Sequence, residues 1–286
     1  MAVDYEKLMQ YRIPELEQTW TKRDTILYAL GLGLGADPMD QDQLKFVQPR
    51  GLQALPTMPA IMCVPYQWLK SAGIGMSGNS LHGEQTFVIH RPIPVEGTFV
   101  AQPRVVQVVD KGAGGGMLVV TEREIREKAS GDVICTASTT TFCRGDGGFG
   151  GPTIPLKEPH RLPDRAPDIV VDQHILPQAA FIYALSGDPN PLHVDPEAAR
   201  KAGFTRPILH GLCAFGMAGY AILKNCCGHD STRLRSMSVR FAAPLYPDET
   251  LRTEIWRGEG EVSWRAILPN RENKVVLNNG HACIGN

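Results

Sequence analysis

The sequence has no paired cysteine motif, no long apolar run and no block of like charge. Its seven cysteines are an odd number, and Cys226 and Cys227 are adjacent rather than spaced as Cys-x-x-Cys. This usage argues against a disulfide ladder and a zinc knuckle. No 18-residue apolar stretch is present, so we expect no membrane insertion. A formal net charge of -1 without basic clusters predicts no nucleic-acid partner.

Targeting signals are equally scarce. The N-terminal stretch MAVDYEKLMQYRIPELE is polar and lacks the apolar core of a secretory signal. The C-terminus reads CIGN rather than a peroxisomal Ser-Lys-Leu type ending. Together with the cysteine usage, which is typical of a reducing compartment, these features predict a cytoplasmic protein.

The 286 residues contain two stretches that repeat in the same order. Tyr-Ala-Leu opens residues 28–38 (YALGLGLGADP) and again residues 183–191 (YALSGDPNP), and each copy runs into a Gly/Asp/Pro turn. The stretch 92–99 (PIPVEGTF) then matches 244–251 (PLYPDETL). The offsets are 155 and 152 positions. Two collinear matches at nearly one offset predict two copies of one fold.

A Gly- and Pro-rich segment separates the copies. Residues 144–163, RGDGGFGGPTIPLKEPHRLP, keep no periodicity, as is usual for a linker. We therefore divide the chain into an N-terminal repeat (1–145), a linker (146–163) and a C-terminal repeat (164–286). The glycines at 112–116 lie between two alternating apolar runs and predict a hairpin loop; the Gly-Lys-Ser/Thr ending of a phosphate-binding loop is missing.

Several segments alternate apolar and polar residues as strands do. Those segments are VVQVVD, MLVVTEREI, VICTASTTTFC, SMSVRFA, TLRTEIW and VSWRAIL. Each half also has a helical segment ahead of its strands. This order predicts an α+β architecture, with a helix against a run of antiparallel strands in each half.

The chemistry is concentrated between residues 183 and 220. Asp188 and His193 flank a loop that also contains Asn190, and Pro189 and Pro191 stiffen it. A carboxylate and an imidazole held in this way suit proton transfer, as the addition of water to a conjugated double bond requires. The alternative is an ordinary turn, because Asp and Asn satisfy nearby backbone groups.

A second motif, His210-Gly211, precedes a segment rich in small residues. If Gly211 begins a helix, its N–H lacks an intrahelical acceptor. Such a group could bind a thioester oxygen that gains negative charge. The alternative is a helix that buries small residues against a sheet, and the two roles are compatible.

These residues resemble the signature of the MaoC-like, or hydratase 2, family. Residues 186–193, SGDPNPLH, match its Gly-Asp-x-Asn-Pro-x-His run, and His210-Gly211 matches the motif that follows. The resemblance covers the whole chain. It implies a double hot-dog fold, with a long helix wrapped by an antiparallel sheet in each half, and (R)-specific hydration of trans-2-enoyl-CoA to (3R)-hydroxyacyl-CoA.

The same resemblance implies roles for individual residues. Asp188 and His193 would be catalytic, with Asn190 in support, and Gly211 would bind the oxyanion through its main chain. Apart from the resemblance, His210, Arg206 and Arg240 are assigned to substrate binding; for the arginines, contacts to CoA phosphates are the expected role because cations bind phosphate, and a solvated surface charge is the alternative. The partner is an acyl-CoA thioester. No metal or cofactor is implied, and a homodimer is expected.

The first repeat departs from the signature. Residues 31–38, GLGLGADP, lack the Asn-Pro-x-His part, so we expect this repeat to accommodate the acyl chain without catalysis. The run Leu81-His82-Gly83-Glu84-Gln85 has no assigned role. Two other classes stay open: an acyl-CoA thioesterase, since fold does not fix function, and a non-catalytic acyl-CoA-binding protein.

Overall fold

The computed structural model describes residues 3–66, 68–73 and 80–285. The α-helices are α1 Tyr5–Gln10, α2 Lys22–Gly31, α3 Gln41–Val47, α4 Trp68–Ser71, α5 Ala179–Ala184, α6 Pro196–Lys201 and α7 Gly211–Cys226. The strands are β1 Leu16–Trp20, β2 Ser80–Ile89, β3 Gly97–Ala101, β4 Arg104–Asp110, β5 Met117–Glu127, β6 Val133–Cys143, β7 Ile169–His174, β8 Leu234–Phe241, β9 Thr250–Arg257, β10 Glu261–Leu268 and β11 Lys274–Ile284. Short 3₁₀ turns cover Met58–Ala60, Pro191–His193 and Pro269–Arg271.

The strands form a single antiparallel sheet that has two matching halves. Its order is β1-β3-β5-β6-β2-β8-β11-β10-β9-β7, with β4 attached to β5. Read outward from the central β2–β8 pair, the first half runs β2-β6-β5-β3-β1 and the second runs β8-β11-β10-β9-β7. The two halves thus repeat one strand order, and the predicted α+β double hot-dog is confirmed.

The six strands predicted from alternation are present, and so is the glycine hairpin. Asp110 of β4 faces Met117 of β5 across that loop. The repeated Tyr-Ala-Leu segments lie on α2 and α5, and the rings of Tyr28 and Tyr183 are 6.0 Å apart. Both tyrosines are buried in the main core, so the duplicated tyrosines meet at the contact between the repeats.

Only the second repeat has a long central helix in the part of the chain that the structure describes. Helix α7 spans 16 residues, and its residues from Leu212 to Leu223 are all buried. The longest helix of the first repeat in the described ranges is α2, with 10 residues. Prolines at 56, 59 and 65 interrupt the segment that precedes α4. Because proline removes a backbone donor and clashes with the preceding turn, this segment forms a short 3₁₀ turn instead.

The small residues of α7 bring the two repeats into contact. A Cβ at Gly216 would lie 2.7 Å from a Leu32 methyl carbon, and one at Gly219 would lie 2.3 Å from the Thr57 methyl carbon. Both distances are shorter than a carbon–carbon contact allows. The absence of side chains therefore lets α7 pack against the first repeat. No helix in the described ranges is long and apolar enough to cross a membrane.

Candidate active site

The loop after α5 begins with a conformation that favours glycine. Gly187 has a φ of 115°, in a region that side-chain-bearing residues rarely adopt. Asp188 Oδ1 then accepts the Asn190 N–H at 3.1 Å, and Asn190 Oδ1 accepts the Leu192 N–H at 3.1 Å. These bonds form two successive Asx turns. The Asn190 side chain caps the 3₁₀ turn that presents His193.

His193 lies at the end of that turn and is held by the main chain. It is 8% exposed, and its Nδ1 is 2.9 Å from the Ile208 carbonyl oxygen. A carbonyl only accepts hydrogen bonds, so Nδ1 carries the proton. Burial lowers the pKa of His193, although the nearby Asp188 carboxylate opposes that shift. The neutral ring therefore has an unprotonated Nε2 that can accept a proton.

His210 is packed between two aromatic rings. Its ring is stacked on His193 with centroids 3.8 Å apart, and the Tyr183 ring is 5.0 Å away. His210 is 1% exposed, and neither ring nitrogen has a hydrogen-bond partner among the described residues. Burial lowers the pKa of His210 to about 3, so the ring is neutral at physiological pH.

Asp188, His193 and His210 converge on one small space. One donor or acceptor atom from each lies within 4.8 Å of the others, and His210 Nε2 is 4.0 Å from Asp188 Oδ2. Two groups bridged by one water are about 4.5 Å apart, since each hydrogen bond is about 2.8 Å long. The limit of 4.8 Å leaves room for one water molecule held by these groups.

Gly211 follows His210 directly and is the first residue of α7. Its N–H is one of the four at a helix start that have no intrahelical acceptor. The His210 side chain makes no capping hydrogen bond, so it does not occupy these donors. The helix start predicted from the sequence is confirmed, and it adjoins the Asp188–His193–His210 cluster.

The two arginines assigned to substrate binding have protein contacts. The Arg206 guanidinium lies 4.9 Å from the centroid of the Tyr246 ring. Arg240 donates from Nε and Nη2 to Glu84 Oε1 at 2.9 and 2.7 Å. The Arg240 side chain is nevertheless 45% exposed. The roles of both arginines toward CoA phosphates stay predictions.

Two features of the site were not predicted from the sequence. Tyr183 packs against His210, although the sequence marked it only as part of a repeat; its position five residues before Asp188 was the available signal. Phe241 contacts Gly211, since a Cβ there would lie 2.9 Å from Phe241 Cε1. That contact joins residues 30 positions apart and has no local signature.

Comparison with known proteins agrees with the sequence motif. Residues 159–278 match the MaoC like domain, and residues 18–145 match the MFE-2 hydratase 2 N-terminal domain. The chain is 38% identical to a probable enoyl-CoA hydratase 2 of Dictyostelium discoideum, with 99% of this chain and 97% of that protein covered. Its identity to the peroxisomal enoyl-CoA hydratase 2 of Arabidopsis thaliana is 36%, with coverages of 94% and 92%.

The fold has a counterpart among solved structures. The MaoC-like dehydratase of Phytophthora capsici superposes with a TM-score of 0.86 at 31% identity, and 99% of each chain is covered. The similarity therefore extends over both repeats and the segment between them.

Proposed function

The chain belongs to the MaoC-like dehydratase family, and on that premise we propose that it is an (R)-specific 2-enoyl-CoA hydratase. It adds water to trans-2-enoyl-CoA to give (3R)-3-hydroxyacyl-CoA, and it catalyses the reverse dehydration. The convergence of Asp188 and His193, with one polar atom of each no more than 4.8 Å from the other, is the observation that carries this proposal. The names of the relatives from Dictyostelium and Arabidopsis support the substrate class and a place in fatty-acid β-oxidation.

The proton transfers of the reaction give each residue a role. His193 Nε2, unprotonated because Nδ1 donates to Ile208, takes a proton from the water as its oxygen bonds to C3. Asp188, which holds the same water from the other side, accepts that proton from His193 and delivers it to C2. Both residues end the turnover as they began, and each turnover adds one H and one OH. Both groups act from one side of the double bond, which gives syn addition.

The thioester oxygen gains negative charge while C3 is attacked. The Gly211 N–H, at the positive end of the α7 dipole, is placed to bind that oxygen. Loss of one such donor typically costs about 10²–10³ in rate. His210 would line the same space as a neutral ring, and Asn190 supports the loop through its Asx turn. No step requires a metal or a redox cofactor.

Substrate contacts and assembly belong to the same proposal. Arg206 and Arg240 are expected at the CoA phosphates, and the first repeat is expected to accommodate the acyl chain. We also propose a homodimer and a cytoplasmic location. The seven free cysteines support a reducing compartment. The peroxisomal relative of Arabidopsis makes the peroxisomal matrix the alternative location.

Incubation of the protein with trans-2-enoyl-CoA tests the reaction. We expect loss of the ultraviolet absorbance of the conjugated thioester, formation of the (3R) product in chiral analysis, and no free CoA thiol. Thiol release would instead indicate a thioesterase, and tight binding without turnover would indicate a binding protein. A comparison with acyl-carrier-protein substrates tests whether CoA is the preferred carrier.

A further inference from the structure

The run from Leu81 to Gln85, which has no role assigned from its sequence, lies where the two repeats join. It forms the first part of β2, and β2 pairs with β8 of the second repeat. Glu84 faces Arg240 in that pairing and accepts two hydrogen bonds from its guanidinium. This contact fixes the register of the junction at the residue that precedes Phe241.

Phe241 connects this junction to the active site. Its ring centroid is 4.5 Å from that of His82, with the planes tilted by 54°. A Cβ built on Gly211 would lie 2.9 Å from Phe241 Cε1 and 3.0 Å from Cδ1, below the optimal carbon–carbon separation of about 3.5–4.0 Å. The ring therefore rests against the Gly211 backbone. His82, Phe241 and Gly211 form a continuous contact from the first repeat to α7.

The start of α7 depends on this packing because no side chain caps it. His210 occupies the N-cap position without a capping hydrogen bond. An oxyanion donor must lie about 2.7–3.1 Å from the charged oxygen, and a misplacement of about 1 Å can cost roughly 10²-fold in rate. Contacts that hold the Gly211 backbone in place therefore affect the reaction directly.

We propose that Phe241 and His82 are positioning residues that hold the Gly211 N–H where the thioester oxygen binds. The inference rests on the proposed function, since it requires that oxygen to bind at Gly211. It gives the non-catalytic repeat a second role, because β2 then supports the oxyanion site of the catalytic repeat through one aromatic contact.

The first test compares Phe241→Leu with Phe99→Leu. Phe99 is buried in the main core and Phe241 is half-buried against it, and Phe99 lies on β3, which is four positions from β8 in the sheet. Both changes remove an aromatic ring that packs on the core, so both lower the melting temperature. Phe241→Leu should lower kcat about tenfold or more, with KM within about twofold, because the oxyanion contact forms in the transition state. Phe99→Leu should leave kcat unchanged. Equal kcat values for the two variants would overturn the proposal.

Two further tests address the contacts themselves. Gly211→Ala should lose activity by collision with Phe241, and adding Phe241→Leu should restore at least part of it; independent, multiplicative losses would refute the contact. His82→Phe keeps an aromatic ring against Phe241 and should retain kcat, whereas His82→Ala should lower it. Equal losses in both His82 variants would indicate imidazole chemistry instead of packing.

Failure of the proposed function and failure of the positioning role give different results. If the wild-type protein does not hydrate enoyl-CoA, the proposed function is wrong. If the wild type is active and Phe241→Leu matches Phe99→Leu in kcat, only the positioning role is wrong.

Discussion

Replacement of Arg123 by methionine should destabilise the protein by about 3 kcal/mol. Arg123 lies on β5, is 2% exposed, and is the only buried lysine or arginine in the described ranges. Its Nε donates to the Met62 carbonyl at 2.9 Å, and its Nη2 donates to the Pro59 and Ala60 carbonyls at 3.0 Å each. This fork holds the proline-interrupted segment against the sheet.

The magnitude follows from the groups left behind. Methionine fills similar space but donates nothing, so three buried carbonyls lose their donor at about 1–3 kcal/mol each. Removal of a buried cation recovers several kcal/mol of desolvation, a cost that also lowers the pKa of the Arg123 guanidinium. The difference is a net loss of about 3 kcal/mol.

Urea unfolding followed by tryptophan fluorescence measures this loss. Arg126→Met is the matched control, because Arg126 lies on the same strand in an exposed pair with Glu124; it should cost less than about 1 kcal/mol. Arg123→Lys should be no better than Arg123→Met, because an ammonium cannot reproduce the planar fork. A loss below about 0.5 kcal/mol in Arg123→Met would show that these carbonyls find other donors and that the Arg123 guanidinium is not needed to hold this segment.

Three further outcomes follow from buried groups and exposed ion pairs. Burial lowers the pKa of His82 to about 4 and of His210 to about 3, whereas a histidine of the unfolded chain has a pKa of about 6.5. Below about pH 6.5 the unfolded chain therefore binds more protons than the folded protein does. The free energy of unfolding should therefore be highest above about pH 6.5 and fall as the pH drops toward about 4, by up to about 1.4 kcal/mol per pH unit for each group. In unfolding curves measured across that pH range, His82→Phe should show a smaller pH dependence than the wild type. Asp110 accepts N–H groups from one glycine of the β4–β5 loop and three glycines of the linker, so Asp110→Ala should cost about 2–3 kcal/mol, and an unchanged urea midpoint would contradict that. Arg240→Ala should raise KM for an enoyl-CoA but not for the same acyl group on pantetheine, with Glu84→Gln as the control that breaks the ion pair alone; a KM increase for both carriers would argue against contact with CoA phosphates.

Local pattern was sufficient to predict six of the eleven strands in the described ranges. Strands β4, β5, β6, β8, β9 and β10 alternate apolar and polar residues, because one face of each lies against the core. Strand β2 was not predicted. It has a register shift between His82 and Glu84, and it contains Gly83 and several polar residues, which break the alternation. Its pairing with β8 joins segments about 150 positions apart.

The active site was predictable to the extent that it is local. Asp188, Asn190 and His193 belong to one six-residue loop, and Gly211 begins its helix as the small residues of that segment indicate. The stacking of His210 on His193 and the support of Gly211 by Phe241 were not predictable. They depend on how β8 and α7 approach each other, which is decided by the packing of the whole domain.

Enoyl-CoA hydration by Asp188→Asn and His193→Ala tests whether these two side chains carry out the proton transfers. General acid–base catalysis typically contributes about 10²–10⁴-fold per group, so each variant should lose at least about 100-fold in kcat while its circular dichroism spectrum and melting curve stay close to wild type. Near wild-type turnover in both folded variants would show that the shared water between these two side chains is not where the reaction occurs.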